Sequence, residues 1–318
     1  MKILVTRPVP DEMLSVYKED FEIVCANHPL THDELLSQIE NFEGLFVIGA
    51  KADKEIIDKG KKLKVIANFG VGYDNIDWKY CTDKGIAVVN TPTQVTEATA
   101  EHTVALIMST IRCIGRYDRE IRNGKWQFHT IVDCDSQVSG STLGILGFGR
   151  IGKVVCKKCQ GLGMNVIYYD VYRAPEEVES EYNVKFMSFD EVLANADCIT
   201  LHMPYFAENH HIFNIDTFKK MKPEAFFVNC ARGPLVKEAD LYEALKNHII
   251  KGAGLDVFEN EPTVYEPLKE LDNIVMTPHI ASATVPARTG MLHEAMSGIV
   301  GFLKGETPYN VVNKEIFK

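Results

Sequence analysis

Three apolar runs are followed by residues of types that do chemistry together. Arg232 stands in "FFVNCARGPLV" (Phe226–Val236), Asp256 and Glu261 in "GLDVFENEP", and His279 in "VMTPHIAS". Arginine is a permanent cation, and placing it at the mouth of a buried strand carries a desolvation cost. Its planar fork can clamp a carboxylate through two hydrogen bonds. An imidazole moves a proton near neutral pH. A carboxylate beside it orients the ring and favours its charged form. Singly, each has a plainer role: a structural ion pair for Arg232, a solvated loop acid for Glu261, a turn residue beside Pro278 for His279. Together, after strand-like runs of one kind, they are expected to converge on the ligand-binding edge of a single sheet.

A second pattern lies upstream. "TLGILGFGRIGKVV" contains Gly147-x-Gly149-x-x-Gly152, preceded by a strand-like run and followed by a helical one. The next strand-like run, "NVIYYD", ends in Asp170, 18 residues beyond Gly152. This is the dinucleotide fingerprint in its proper context. Glycines permit a tight turn and close approach of backbone to pyrophosphate, and the helix N-terminus offers amide donors. Asp170 can accept from ribose hydroxyls and would repel a 2′-phosphate, which favours NAD. Arg173, three residues later, could neutralise such a phosphate, so NADP stays open.

The elements that must position these groups form two alternating series. In the first, "KILVTR", "EIVCA", "LFVIGA", "KVIANFG" and "AVVN" read as strands, separated by helical runs such as "THDELLSQIENF". In the second, from Thr142, "TLGILGF", "NVIYYD", "CITLHM", "AFFVNCA", "GAGLDV" and "NIVMTP" alternate with helical runs such as "SFDEVLANA". Such alternation predicts α/β architecture with parallel sheets. Between the series, "TPTQVTEATAEHTVALIMSTIRCIGRYDREIRNGKW" reads as one long helix, capped by Thr96 or Thr93, that links domains or meets a partner subunit. A chain of 318 residues exceeds what one core usually holds, so two domains are expected. The net charge of −10 argues against general nucleic-acid binding. The start "MKILVTRPVP" lacks a signal pattern, and no apolar run approaches the ~20 residues that span a bilayer. The eight cysteines are scattered, so a reducing cytoplasm is expected. Cys156 and Cys159 form a CxxC inside a helical run and read as packing residues. The pair His210-His211, without further spaced ligands, does not predict a metal.

These motifs, with "FGVGYDNID" (Phe69–Asp77) and "NTPTQVTEATAEHTVAL" (Asn90–Leu106), resemble the D-isomer-specific 2-hydroxyacid dehydrogenases across nearly the whole chain. "ANFGVGYDNID" and "TPHIASATVPARTGM" look most like the glyoxylate and hydroxypyruvate reductases within that family. The resemblance implies a catalytic trio of Arg232, Glu261 and His279. It implies that the amides of Val71 and Gly72, with Arg232, hold the substrate carboxylate. Cofactor contacts carry over to Gly147, Phe148, Gly149, Arg150, Ile151 and Gly152, to Asp170, Pro204, Cys230, Ala231 and Arg232, and to Asp256. Asp256 is either a cofactor contact or an acid behind the reacting groups. The implied fold is two doubly wound parallel-sheet domains. A flavodoxin-like substrate domain (1–98 and 287–318) carries an inserted Rossmann NAD-binding domain (99–286), with the active site in the cleft between them and a homodimer as the assembly.

The implied activity is hydride transfer between NAD(P)H and a small 2-oxo acid, with glyoxylate or hydroxypyruvate foremost. Phosphoglycerate, D-lactate or a sugar acid are the alternatives within the family. A nucleotide-sensing corepressor is the alternative from another class. Two departures bear on the substrate. Ala281 stands where glyoxylate reductases often have glycine, and "WQFHTIVDCDSQVSG" breaks the usual pattern. Glu261 stands where a formate dehydrogenase would carry glutamine.

Overall fold

The computed structural model describes residues 1–126 and 135–317. Most of the divergent stretch after Trp126, Cys134 included, therefore lies outside the described residues. The chain divides into two compact units, one of residues 1–95 and 283–318, the other of residues 96–282.

The first unit holds a five-stranded sheet. Its strands are β1 (Lys2–Val5), β2 (Glu22–Cys25), β3 (Gly44–Val47), β4 (Val65–Asn68) and β5 (Ala87–Val89). Their order is β2-β1-β3-β4-β5, and every pairing is parallel. β3 and β4 are buried at every residue, as expected for strands covered on both faces. β2 lies at the edge and alternates between exposed and half-buried positions. Helix starts carry the chemistry their sequences offer: Thr31 and Glu34 form a reciprocal capping box, and Asp53 and Asp77 cap the next two helices. The helix Val285–Leu303 packs on β3, β4 and β5, so the C-terminal segment completes this unit's core.

The second unit holds seven parallel strands: β6 (Thr142–Leu146), β7 (Asn165–Tyr169), β8 (Lys185–Phe186), β9 (Cys198–Leu201), β10 (Phe226–Asn229), β11 (Gly252–Leu255) and β12 (Ile274–Met276). The order is β12-β11-β10-β9-β6-β7-β8, with parallel pairing throughout. The direction of winding reverses between β6 and β9. A doubly wound sheet binds ligands at such a switch point, outside the carboxyl ends of its strands. β9, β10 and β11 are wholly buried, and β8 is a two-residue edge strand that the sequence pattern did not reveal.

The segment expected as one long helix is two. Helix Thr96–Ile111 packs on β10, β11 and β12 and against helix Arg150–Gly161. The chain then turns at Cys113, whose φ of 51° no helix accommodates, and resumes as Ile114–Arg122. Of the two expected caps, Thr96 is itself the first helical residue, and the Thr93 hydroxyl donates instead to Glu294 (2.6 Å). Cys156 and Cys159 are fully buried in the helix Arg150–Gly161, where burial pushes both thiols up to about 12, so they pack and do not react.

Candidate active site

Every strand of the seven-stranded sheet runs the same way, so the loops after β6, β7, β9, β10, β11 and β12 leave from one edge. The glycine loop follows β6. Gly147 has a φ of +100°, and a Cβ there would fall 2.6 Å from the His202 backbone. A Cβ on Gly152 would sit 2.3 Å from the Gly147 carbonyl oxygen, so the helix can touch the loop only because Gly152 has no side chain. Gly149, at the N-cap of the helix Arg150–Gly161, is different: a Cβ there would meet nothing within 4 Å. Gly149 and Arg150 are exposed, while Ile151 is half-buried and Gly152 buried. The space over this helix N-terminus is open and faces amide donors, which fits a pyrophosphate.

Asp170, at the end of β7, accepts a hydrogen bond from the Phe148 amide (2.7 Å) through one oxygen and from the Tyr172 amide (3.3 Å) through the other. It therefore stitches the glycine loop to the β7 loop. Phe148 itself turns inward and stacks on Tyr168 with ring centres 4.4 Å apart. Arg173, expected as a possible partner for a 2′-phosphate, is instead forked onto Glu179 at 2.9 and 2.8 Å. Pro204 is exposed in the loop after β9.

The loop after β10 is built by the buried Asn229. Its carbonyl oxygen accepts from the Ala231 amide (2.9 Å), and its amide nitrogen donates to the Arg232 carbonyl (2.9 Å). This side-chain-closed turn presents Arg232, which also donates to the Ala231 carbonyl (2.7 Å). Gly233 follows because nothing larger fits: a Cβ would lie 1.9 Å from the Phe258 carbonyl. Cys230 is buried, and burial pushes its thiol up to about 12.

Glu261 and His279 meet, with His279 Nδ1 2.7 Å from Glu261 Oε2. A carboxylate on Nδ1 makes that nitrogen the donor and leaves Nε2 facing outward. Glu261 also accepts from the Phe258 amide (3.0 Å). Burial alone would raise its pKa, but the hydrogen bonds from His279 and Phe258, with the charges of His279 and Arg232, outweigh that and hold it below the usual value. The Glu261 loop is braced by the buried Glu238, which accepts from the amides of Glu259 (2.7 Å) and Tyr265 (3.2 Å).

Behind His279 lies Asp256, fully buried. One oxygen accepts from the Thr277 hydroxyl (2.6 Å) and the Ile280 amide (2.9 Å), the other from the Ala281 amide (2.9 Å). The His279 amide donates to the Asp256 main-chain carbonyl (2.8 Å). His102, on the helix Thr96–Ile111, brings Nε2 to 3.0 Å from the Thr277 hydroxyl and 3.3 Å from the Asp256 carboxylate. Burial pushes Asp256 up, yet these four donors together bring its pKa below the ordinary value. Asp256 thus fixes the backbone that carries His279.

The second unit brings together the Glu261–His279 pair, the Asp256 support and the Arg232 loop. Val71 and Gly72 belong to the first unit, in the loop after β4, where Asn90 donates to the Val71 carbonyl (2.8 Å) and Asn68 to the Gly72 carbonyl. Asn229, Glu238, Thr277 and His102 were not singled out in the sequence. Asn229 carried a signal, an Asx residue two before Ala231, whereas Glu238 resembled any acid in a first helical turn. Among the described residues, no group of three or more His, Cys, Asp or Glu side chains is placed to hold a metal ion.

Comparison with known proteins identifies the family. Residues 104–281 match the family described as D-isomer specific 2-hydroxyacid dehydrogenase, NAD binding domain. The chain is 38% identical to a glyoxylate reductase of Thermococcus onnurineus over 99% of this chain and 96% of that one. Its structure resembles that of an NADPH-dependent glyoxylate/hydroxypyruvate reductase from Sinorhizobium meliloti, with a TM-score of 0.84 and 30% identity over 98% of each chain. It also resembles D-lactate dehydrogenase from Aquifex aeolicus complexed with NAD and lactic acid, with a TM-score of 0.85 and 29% identity over 98% of this chain and 99% of that one.

Proposed function

The chain belongs to the D-isomer-specific 2-hydroxyacid dehydrogenase family, and on that premise we propose that it reduces glyoxylate or hydroxypyruvate at the 2-oxo group. It is an NAD(P)-dependent oxidoreductase acting on the CH–OH group of its donor. The glycine loop Gly147–Gly152 and Asp170 hold the dinucleotide, with Pro204, Cys230, Ala231 and Asp256 as further contacts. Bound there, the nicotinamide supplies the hydride taken up by the 2-oxo carbon. Arg232 orients the substrate carboxylate and stabilises the negative charge that develops on the oxo oxygen. His279, with Nδ1–H held by Glu261, gives its Nε2 proton to that oxygen. In the reverse direction neutral His279 takes the hydroxyl proton. The assignment of Val71 and Gly72 to the substrate carboxylate is part of the same proposal, as are a homodimer and a cytoplasmic location. Among the described residues, no helix is long and apolar enough to cross a membrane.

The observation that carries this reading is the 2.7 Å contact between His279 and Glu261 in the loops beside Arg232. NAD is favoured over NADP, because Asp170 offers a carboxylate where a 2′-phosphate would sit. The test is a panel of glyoxylate, hydroxypyruvate, pyruvate and 3-phosphohydroxypyruvate, each with NADH and with NADPH. The highest kcat/KM is expected for glyoxylate or hydroxypyruvate with NADH. A clear preference for pyruvate or the phosphorylated acid would overturn the substrate assignment.

A further inference from the structure

We propose that Glu179 is a specificity-determining residue that keeps Arg173 from serving a 2′-phosphate. The inference rests on the reading of Gly147–Gly152 and Asp170 as the dinucleotide site. Arg173 lies on the loop that leaves β7 just after Asp170, and its side chain is half exposed. One edge of its guanidinium is committed and its charge is matched: Nε donates to Glu179 Oε1 at 2.9 Å and a terminal nitrogen to Oε2 at 2.8 Å. Glu179, on the helix Glu176–Tyr182, is only 12% exposed. It receives a third donor, the Tyr168 hydroxyl, at 2.7 Å. That hydroxyl in turn accepts from the Ala174 amide (3.0 Å), and the Tyr168 ring stacks on Phe148 of the glycine loop.

Most surface ion pairs contribute little because two long side chains must be ordered in water. This pair differs in three ways. It is bidentate, its acid is largely buried, and a buried tyrosine fixes that acid from behind. The hydrogen bonds from Arg173 and then Tyr168 pull Glu179 down to about 2, so the latch is closed throughout the neutral range. A 2′-phosphate needs a nearby cation. The cation is present in this loop but is already spent on Glu179, while Asp170 adds repulsion.

The test measures binding of NADH and NADPH by fluorescence titration, which needs no turnover. Asp170→Ser alone is expected to improve NADPH binding. Asp170→Ser with Glu179→Gln is expected to improve it by about a further tenfold, the scale of one charge-assisted contact. Adding Arg173→Ala should cancel that second gain. A double variant that binds NADPH no better than Asp170→Ser would overturn the latch. One arm leaves Glu179 intact and so survives any misfolding of its variants: Arg173→Ala in the Asp170→Ser background. If Arg173 is sequestered, this change leaves NADPH affinity unaltered. A loss of several-fold would show that Arg173 already serves the phosphate, and the proposal falls. A wild-type preference for NADPH would instead overturn the reading of Asp170.

Discussion

His279 shows how a single residue is prepared for work. Its φ of 52° is a left-handed conformation that costs a side-chain-bearing residue on the order of 1–3 kcal/mol. Three consecutive amides, those of His279, Ile280 and Ala281, donate to Asp256, two of them to its carboxylate. That triple anchor holds the strained backbone and points the ring at Glu261. Arg232 carries a different burden. In the proposed reaction it orients the carboxylate, which the Val71 and Gly72 amides also hold, and alone places a permanent cation beside the developing charge. Arg232→Ala should therefore lower kcat/KM for reduction by about 10³-fold or more, above the usual loss for one oxyanion donor. Arg232→Lys should recover part, since an ammonium restores charge but not the planar fork. Near-normal kcat/KM in Arg232→Ala, with thermal unfolding unchanged, would remove Arg232 from the mechanism.

At the scale of elements, the loops work because strands bring them close, and the closeness is enforced by residues without side chains. The loop after β10 presses on the loop after β11 at Gly233, where a Cβ would overlap the Phe258 carbonyl at 1.9 Å. Backbone on both sides leaves no flexible group to give way. Gly233→Ala should destabilise the protein by about 1–3 kcal/mol through overpacking. It should also displace Arg232 relative to Glu261, so kcat/KM falls more than stability alone explains. Thermal unfolding and kinetics together check this, and a variant with wild-type values in both would show that the two loops separate without cost. The strands were readable because a parallel strand covered on both faces is a short apolar run, as "FFVN" and "CITL" are. The glycine fingerprint was readable because its spacing is set by local turn geometry. The break at Cys113 was not: "STIRCIGRYD" keeps helical composition through a residue that turns left-handed. Nor was the brace from Glu238, since pairing an acid with amides 21 and 27 residues away is a tertiary event without a local signature.

The whole molecule carries its site's electrostatics as a dependence on pH. Among the described residues, Glu34, Asp58, Asp118, Glu179, Glu191, Asp240, Asp256 and Glu261 are held below their ordinary pKa values, and Glu238 is pushed above by burial. A depressed carboxyl contributes stability that is complete above its unfolded value. That contribution is lost as pH falls through the folded value, because the unfolded chain takes up the proton first. For Asp256 and Glu261 the unfolded references are 3.8 and 4.5, so both contributions are intact at pH 7 and fade below those values. Glu238 acts in the opposite sense, and acid relieves its cost. One raised group stands against many lowered ones, so acidification should destabilise the protein. Asp256→Asn isolates the buried share of this effect. Asparagine cannot accept from all four donors, and its amide nitrogen faces one of them, a mismatch worth about 1–3 kcal/mol. At pH 7 the variant should melt below the wild type. Lacking the titrating group, it should lose less on acidification, and the two Tm curves should converge as pH falls below 3.8. A Tm gap that stays constant across that range would mean that Asp256 is not held ionised by its donors, and that the His279 backbone is anchored by shape alone.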